Sequence, residues 1–447
     1  MLEALERALA IPELRKRVLF VLTMFLIFAV GAHVPVPGID HDKLTAMMKG
    51  NAGGLLGFVD VFGGGALKRF SIFAMGIGPY INSSIIMQMM TIAIPQLEQL
   101  SKEGESGRKQ VAKVTRYLTI ILAAAQSFGL TFMFSQQGIG MSVFTRIQIM
   151  VTLTAGSIFL LWLGEQVTQH GVGNGVSLII FAGIMLSMPG QLSTLATQVR
   201  AHTVSPLAVI AMIALFIATV YAVVYITQGT RRIPIQHTKR VIGMRQTQAG
   251  SSFLPIKINS AGVIPIIFAI SLMLLPGTIL NVVPATSGPM LWIKDHAKLF
   301  NPGEAWSVGL PFKLPIPLFI YALLIIVFTY FYTAIVMNVQ EMADNLKKYG
   351  NYIPGIRQGK PTFDYLEKVI SRITMAGAVF LAFIAMTQYI IPALTGITTI
   401  SIIGGTSLLI VVGVAIETMQ AVEAQLLMRN YEGFIKEGDQ PRAARAQ

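Results

Sequence analysis

Cysteine is absent from the 447 residues, which excludes disulfides, thiolate catalysis and Cys-based metal sites. Charge is scarce. Only 12% of the residues are Asp, Glu, Lys or Arg, about half the share of an ordinary soluble domain. The six histidines (His33, His41, His170, His202, His237, His296) are scattered, with no pair at helical ligand spacing, so the sequence points to no bound metal and no cofactor. No GxxxxGK[ST] or HExxH motif occurs, so a P-loop nucleotide site and a zincin site are excluded. Gly171–Val172–Gly173–Asn174–Gly175 sits between two apolar runs rather than between a strand and a helix, and reads as a turn. Nothing favours a Ser–His–Asp arrangement, and no reactive constellation lies inside an apolar run, which speaks against an intramembrane enzyme.

Hydrophobic residues make up 53% of the chain, the composition of a polytopic membrane protein. Uncharged windows give ten spans, at about 18–34, 71–94, 117–135, 147–165, 176–198, 205–227, 258–281, 316–337, 373–392 and 402–426. The last two lie in one charge-free run, Ile373 to Ile416, broken by Pro392, Gly396 and the stretch to Ser401, which predicts a helical hairpin. Arg15–Lys16–Arg17 precede the first span and no small-residue cleavage site follows, so the first helix is expected to be retained. Ionisable groups are nearly missing from the spans; Glu417 and Glu423 lie toward one end of the last and Glu165 caps the fourth. An ion-coupled transporter would carry more, although a carrier of neutral solutes would also fit.

With the N-terminus placed in the cytoplasm, 25 of the 34 Lys and Arg fall on the cytoplasmic side and 9 on the other. The positive-inside rule therefore predicts that both termini are cytoplasmic. Most of the net charge of +13 is this asymmetry. Two cytoplasmic loops stand out. Gln228–Lys257 carries Arg231, Arg232, Lys239, Arg240, Arg245 and Lys257 with no acid, and Asn338–Arg372 presents Arg357 within IPGIRQGKPT. Attraction to anionic lipid explains such charge in general; a surface for ribosomal RNA or a motor ATPase is the sharper reading, since the electrostatics suit phosphate contacts.

The stretch Leu55–Met90 changes character halfway. Its first part, Leu55–Phe70, carries Asp60, Phe62, the glycines Gly63, Gly64 and Gly65, and the pair Lys68–Arg69. It is too broken to span a bilayer, which needs about 20 mostly apolar residues. It reads either as a re-entrant segment sheltered in a cavity or as an exposed loop before a spanning helix. On span 2, Ile77 and Ile81 are four residues apart and share a helix face. Apolar side chains at a constriction can close a wet funnel by dewetting. Asn82, Ser83, Ser84, Gln88, Gln126, Asn259 and Ser260 are candidates for interhelical hydrogen bonds. Ten spans suggest two halves of five, 1–200 and 201–447, and an odd number per half makes them inverted copies. The shared feature is Gly76–Ile77–Gly78–Pro79 in span 2 and Gly262–Val263–Ile264–Pro265 in span 7, each read as lying within a helix.

These residues fall into motifs that resemble the SecY family, the central subunits of the bacterial protein-conducting channel. The motifs are PVPGID (35–40), FGGGALKRFSIFAMGIGPYINSSIIMQ (62–88), EGESGRK (103–109), WLGEQVTQHGVGNGVSLIIFAGI (162–184), INSAGVIPIIFA (258–269), ADNLKKYGNYIPGIRQGKPT (343–362) and GGTSLLIVVGV (404–414). The resemblance implies an all-α membrane protein of ten transmembrane helices in two inverted pseudo-symmetric halves, hinged between spans 5 and 6, with a short re-entrant plug helix. By the same resemblance Asp60, Phe62, Gly63, Gly64 and Gly65 belong to the plug. Ile77, Ile81, Ile180, Ile267 and Ile410 form a pore ring, and Ser83, Gln126 and Asn259 flank a lateral gate. Arg231, Arg232, Lys239, Arg240, Arg245 and Arg357 dock partners. The implied partners are the SecE and SecG subunits, the SecA motor, the ribosome, signal peptides and nascent chains, with anionic lipids around them. The implied site is the bacterial cytoplasmic membrane, and the implied activity is passage of polypeptides, with no covalent chemistry in the chain itself.

Overall fold

The structure, a computed structural model, describes residues 10–38, 60, 63–136, 142–237, 241–242, 245–246, 251–282, 288, 291–292, 296–300, 316–395 and 405–438. In chain order the helices are α1 Pro12–Gly31, α2 Gly78–Ala93, α3 Pro95–Lys102, α4 Glu105–Gln136, α5 Val143–His170, α6 Gly175–Arg200, α7 Pro206–Gln228, α8 Ile264–Val282, α9 Ile316–Val336, α10 Val339–Lys348, α11 Lys360–Thr395 and α12 Gly405–Gly438. All but the short α3 and α10 overlap one of the ten uncharged windows. Six of them, α5, α6, α7, α9, α11 and α12, are long and apolar enough to cross a membrane by that measure alone among the described residues.

Local chemistry sets the helix starts. Proline stands in the first turn of α1, α2, α3 and α7, where its missing N–H costs nothing and its fixed φ suits the helix. Ser205 caps α7 by accepting from the Ala208 amide at 3.2 Å, and Asn338 caps α10 by accepting from Glu341 at 3.2 Å.

Two spans start later than their uncharged windows suggest. In span 2 the helix opens at Gly78 rather than at Ser71, and in span 7 at Ile264 rather than at Ile258. The two Gly–Pro motifs therefore mark helix starts instead of lying inside helices. Gly76 (φ 56°) and Gly262 (φ 65°) take left-handed backbone just before each helix, a conformation that favours glycine. Absence of charge reports burial from water, not helicity, so the windows missed this.

Two compact units can be distinguished: Met1–Gly190 with Ile410–Gln447, and Gln191–Leu409. In the first, the non-helical stretch Gly63–Ile77 packs against α1, α4, α5 and α6. Val36, Leu67, Phe70, Ala74, Met75, Ala123, Phe134, Ile149 and Leu153 form its core. Phe73 lies between Phe28 and Phe159, nearly parallel to both, with ring centroids 6.0 and 5.9 Å away.

In the second unit α9 and α11 pack on each other and α8 joins them. Its non-membrane part departs from an all-α reading. Thr230–His237 (β1) pairs antiparallel with Ser251–Lys257 (β4) on one edge and with Asn351–Tyr352 (β5) on the other. A two-stranded ribbon, β2 Val241–Ile242 with β3 Arg245–Gln246, lies between β1 and β4 in the chain. The sheet forms because Ile233 and Ile235 are buried and alternate with exposed neighbours, the period-2 pattern of a one-sided strand. Ile233 joins Ile256, Ile353, Leu366 and Ile370 in a second core.

A close backbone approach in the first unit gives a test. A Cβ at Gly156 of α5 would lie 1.9 Å from the Ile72 carbonyl oxygen, a backbone atom that cannot step aside. Gly156→Ala is expected to lower stability by about 1–3 kcal/mol, as overpacking does. At Gly78, where a Cβ meets nothing within 4 Å, Ala is expected to be neutral or slightly stabilising. Thermal unfolding of the two variants in the same lipid nanodisc checks the contrast.

Candidate functional site: a buried non-helical segment and an exposed basic sheet

Backbone N–H and C=O groups shielded from water must find partners in the protein. From Lys68 to Ala74 every amide does so. Lys68 donates to Asp60 Oδ1 at 2.9 Å, and Phe73 to Ser71 Oγ at 3.2 Å. Arg69, Phe70, Ser71 and Ala74 donate to Gly65, Leu67, Ala66 and Ser71 carbonyls, while Ile72 reaches across to Val34 at 3.0 Å. In return Val36 donates to the Phe70 carbonyl at 2.9 Å, and Pro35 and Ser71 form an isolated bridge. The chain just after α1 thus serves as a strand for the segment.

The side chains add to this. Phe70 is fully buried and holds φ at 45°, a strained value for a bulky residue. Its ring meets Phe134 edge-on at 5.2 Å. Arg69 donates from Nη1 to His33 Nε2 at 2.6 Å, and His33 Nδ1 donates to the Ala29 carbonyl at 2.8 Å. Of the two readings of Leu55–Phe70, the described part, Asp60 and Gly63–Phe70, is packed rather than a loose loop, with Lys68 and Arg69 its exposed residues.

Asp60 is buried, 2% exposed, and precedes helix α2 in the chain. Besides its bond to the Lys68 amide, Oδ2 lies 3.6 Å from Lys68 Nζ, which is largely exposed. Burial pushes the Asp60 carboxyl above the ordinary carboxylate range, against the hydrogen bond and charge of Lys68. Gly63 and Gly64 are buried and Gly65 half-buried; a Cβ at Gly64 would press on Leu186 and on the Gly183 backbone at 3.2–3.3 Å. Phe62 lies outside the described residues.

The five isoleucines divide between the units. Ile77, Ile81, Ile180 and Ile410 lie in the first and Ile267 in the second. Ile77 is the N-cap of α2 and accepts from the Ile81 amide at 3.1 Å, so the pair spans the first turn. Ile77, Ile180 and Ile410 are buried, while Ile81 and Ile267 are half-buried.

The polar residues of α2 bond within their own helix. Ser83 Oγ donates to the Pro79 carbonyl at 2.8 Å, and Gln88 Nε2 to Ser84 Oγ at 3.2 Å. Gln126 is half-buried on α4. In the second unit Asn259 Nδ2 donates to the Gly262 carbonyl at 3.1 Å. Its Oδ1 is buried without a hydrogen-bond partner. Between α5 and α6, Gly171–Gly175 is a turn, and Asn174 Oδ1 accepts from the amides of Val176 and Ser177.

Of the basic residues, Arg231 and Arg232 are exposed on β1 and Arg357 is exposed beyond β5. Arg245 pairs through its backbone with Ile242. Lys239 and Arg240 lie outside the described residues. Sequence reasoning treated the 228–257 and 338–372 loops as separate, whereas β5 joins them in one sheet. The alternating Ile233 and Ile235 were the available signal for a strand, but a two-residue β5 has no signature of its own.

A family model described as SecY matches residues 71–419. The protein translocase subunit SecY of Halalkalibacterium halodurans is 42% identical over 447 residues, covering 98% of this chain and 100% of that protein. The corresponding subunit of Thermus thermophilus is 41% identical over 446 residues, covering 98% of each. Among solved structures, a protein-conducting channel superposes with a TM-score of 0.64 at 19% identity over 92% of both chains. Sec61 in a canine ribosome–channel complex from the endoplasmic reticulum does so with a TM-score of 0.59 at 17% identity, again over 92% of both. At those identities the structures speak for the fold, a mostly helical membrane protein; with the family model and the near-complete relatives, the chain belongs to the SecY family.

Proposed function

We propose that this chain is a protein-conducting channel that passes unfolded secretory polypeptides across the bacterial cytoplasmic membrane and releases membrane segments sideways into lipid. The observation that carries this reading is the 42% identity, over nearly the whole chain, to a protein translocase subunit. Neither relative named above is a solute carrier, and the transporter alternative draws no support from them.

The physical logic is that of partitioning. A secretory signal has an apolar core of roughly 7–15 residues, which gains by leaving water for lipid, while the chain behind it must stay hydrated. An axial wet path with a sideways opening serves both. In this reading the segment around Asp60 and Gly63–Gly65 is the plug, anchored through the buried stretch that follows. Ile77, Ile81, Ile180, Ile267 and Ile410 line the constriction. Ser83, Gln126 and Asn259 flank the lateral seam; Asn259 Oδ1, buried and unpaired, is the polar atom there with a bond still to make. The matching left-handed glycines before α2 and α8, each followed by a proline in the first turns, support two inverted halves, 1–200 and 201–447.

The chain would do no covalent chemistry; a partner supplies the energy. SecA and the ribosome would dock on Arg231, Arg232, Lys239, Arg240, Arg245 and Arg357. SecE would clamp the halves, SecG would be accessory, and anionic lipids would surround a channel whose termini are both cytoplasmic.

Three measurements test this. A photoreactive residue at Ile81, Ile180 or Ile410, with a stalled secretory chain as bait, is expected to crosslink to that chain at all three positions and to lose the crosslinks when the signal is deleted. Absence of crosslinks in assembled protein overturns the polypeptide path. Arg357→Glu is expected to impair SecA-driven export several-fold with normal assembly, and undiminished export removes Arg357 from the docking surface. At Asp60, Ala leaves the buried Lys68 amide without an acceptor, which costs about 1–3 kcal/mol, whereas Asn keeps the acceptor and removes the buried charge. Because the folded carboxyl is raised, its stabilising contribution is full at low pH and fades as pH rises through the raised value. Asp60→Asn is therefore expected to match or exceed the native melting temperature at pH 7, with the difference shrinking as pH falls, while Asp60→Ala melts lower.

A further inference from the structure

Arg357 directly follows a turn and is tied down from both sides. Ile353–Pro354–Gly355–Ile356 closes with the Ile356 amide on the Ile353 carbonyl at 3.0 Å. Gly355 has φ 80°, so proline and left-handed glycine occupy the two central places that a type II turn requires. After it, Thr362 Oγ1 donates to the Arg357 carbonyl at 2.7 Å. Gln358 Nε2 reaches back to the Asn351 carbonyl at 3.1 Å. The turn is thereby referred to Asn351, one of only two residues of β5.

Two residue pairs are a weak hold for a strand. Gln236 faces Tyr352 and His237 faces Asn351. The second pair is supplemented by side chains. His237 Nδ1 lies 2.7 Å from Asn351 Oδ1, an acceptor, so it donates there. Nε2 lies 2.9 Å from Ser252 Oγ on β4, a hydroxyl that can either donate or accept. One imidazole thus stands at the end of the middle strand and joins both edge strands. The buried core of Ile233, Ile256, Ile353, Leu366 and Ile370 lies further along the same face of this sheet and does not include Asn351, which is half-buried.

We propose that His237 is a positioning residue for Arg357. By pinning Asn351 to the 230–257 hairpin, it makes Arg231, Arg232 and Arg357, more than a hundred positions apart in the chain, one preset surface. This rests on the docking reading above.

The test uses the full-length chain in its assembled membrane complex, comparing His237→Leu, His237→Gln and Arg357→Glu. Amide exchange over residues 350–358 reports the position of the turn directly, and SecA-driven export reports docking. His237→Leu is expected to speed exchange there by at least about fivefold, as loss of one net hydrogen bond would, with the transmembrane helices unchanged, and to lower export. Gln can donate and accept at once, so it is expected to restore both. Should His237→Leu not assemble, Asn351→Leu breaks the same bond from the other partner.

Unchanged exchange over 350–358 overturns the proposal. Faster exchange with normal export, while Arg357→Glu still impairs export, overturns the link from position to docking. If neither His237→Leu nor Arg357→Glu lowers export, the docking reading itself fails, and the exchange data still decide whether His237 holds the turn.

Discussion

A peptide group removed from water must be hydrogen-bonded, and a membrane offers it only protein. Regular helix meets that demand locally. The segment Gly63–Ile77 does not form one, and its surroundings follow from that. The chain after α1 turns extended at Val34–Val36 to take and give two backbone bonds. Ser71 lends a side chain to the Phe73 amide, and Asp60 lends one to Lys68. Helices α1 and α5 carry glycine where Phe73 and the Ile72 carbonyl come closest, because side chains there would hold the segment off and leave its amides unpaired. The 16 residues of α2 rise about 24 Å, short of a bilayer core of about 30 Å.

Outside the membrane the constraint is different. Water can satisfy the loops, so order there needs a reason to exclude it. The isoleucine core beneath β1, β4 and β5 supplies that reason, and the arginines stay on the wet side. Arg231 and Arg232 project from a strand whose register to β4 is fixed over seven pairs, and Arg357 projects from a turn whose bonds are all local or lead to β5. Arg231 and Arg232 stay exposed toward one end of β1, while Ile233 and Ile235 of the same strand are buried.

Much of this was legible in the sequence. Ten charge-poor windows are overlapped by ten helices, because exclusion of charge is what the bilayer core demands. The glycine-broken stretch Leu55–Phe70 was visible as irregular. What charge could not report was where irregular backbone gives way to helix: Ser71–Ile77 and Ile258–Val263 are as uncharged as the helices they precede. The sheet was missed for a different reason. Its middle strand pairs with a dipeptide more than a hundred residues away, and no local pattern encodes a partner that short. The candidate residues divide in the same manner. Asp60 and the glycines stood out by composition, whereas His237 looked like one scattered histidine until β4 and β5 were on either side of it.

The rigid setting of Arg357 has a consequence for what such a residue can recognise. A cation on a loose loop attracts any polyanion, but it gives up freedom of motion each time it binds, and attraction alone cannot distinguish one phosphate arrangement from another. A guanidinium whose peptide is already fixed loses little on contact and presents a planar fork in one direction. It reads geometry as well as charge, so one such arginine can discriminate where a cluster of mobile lysines would only adhere.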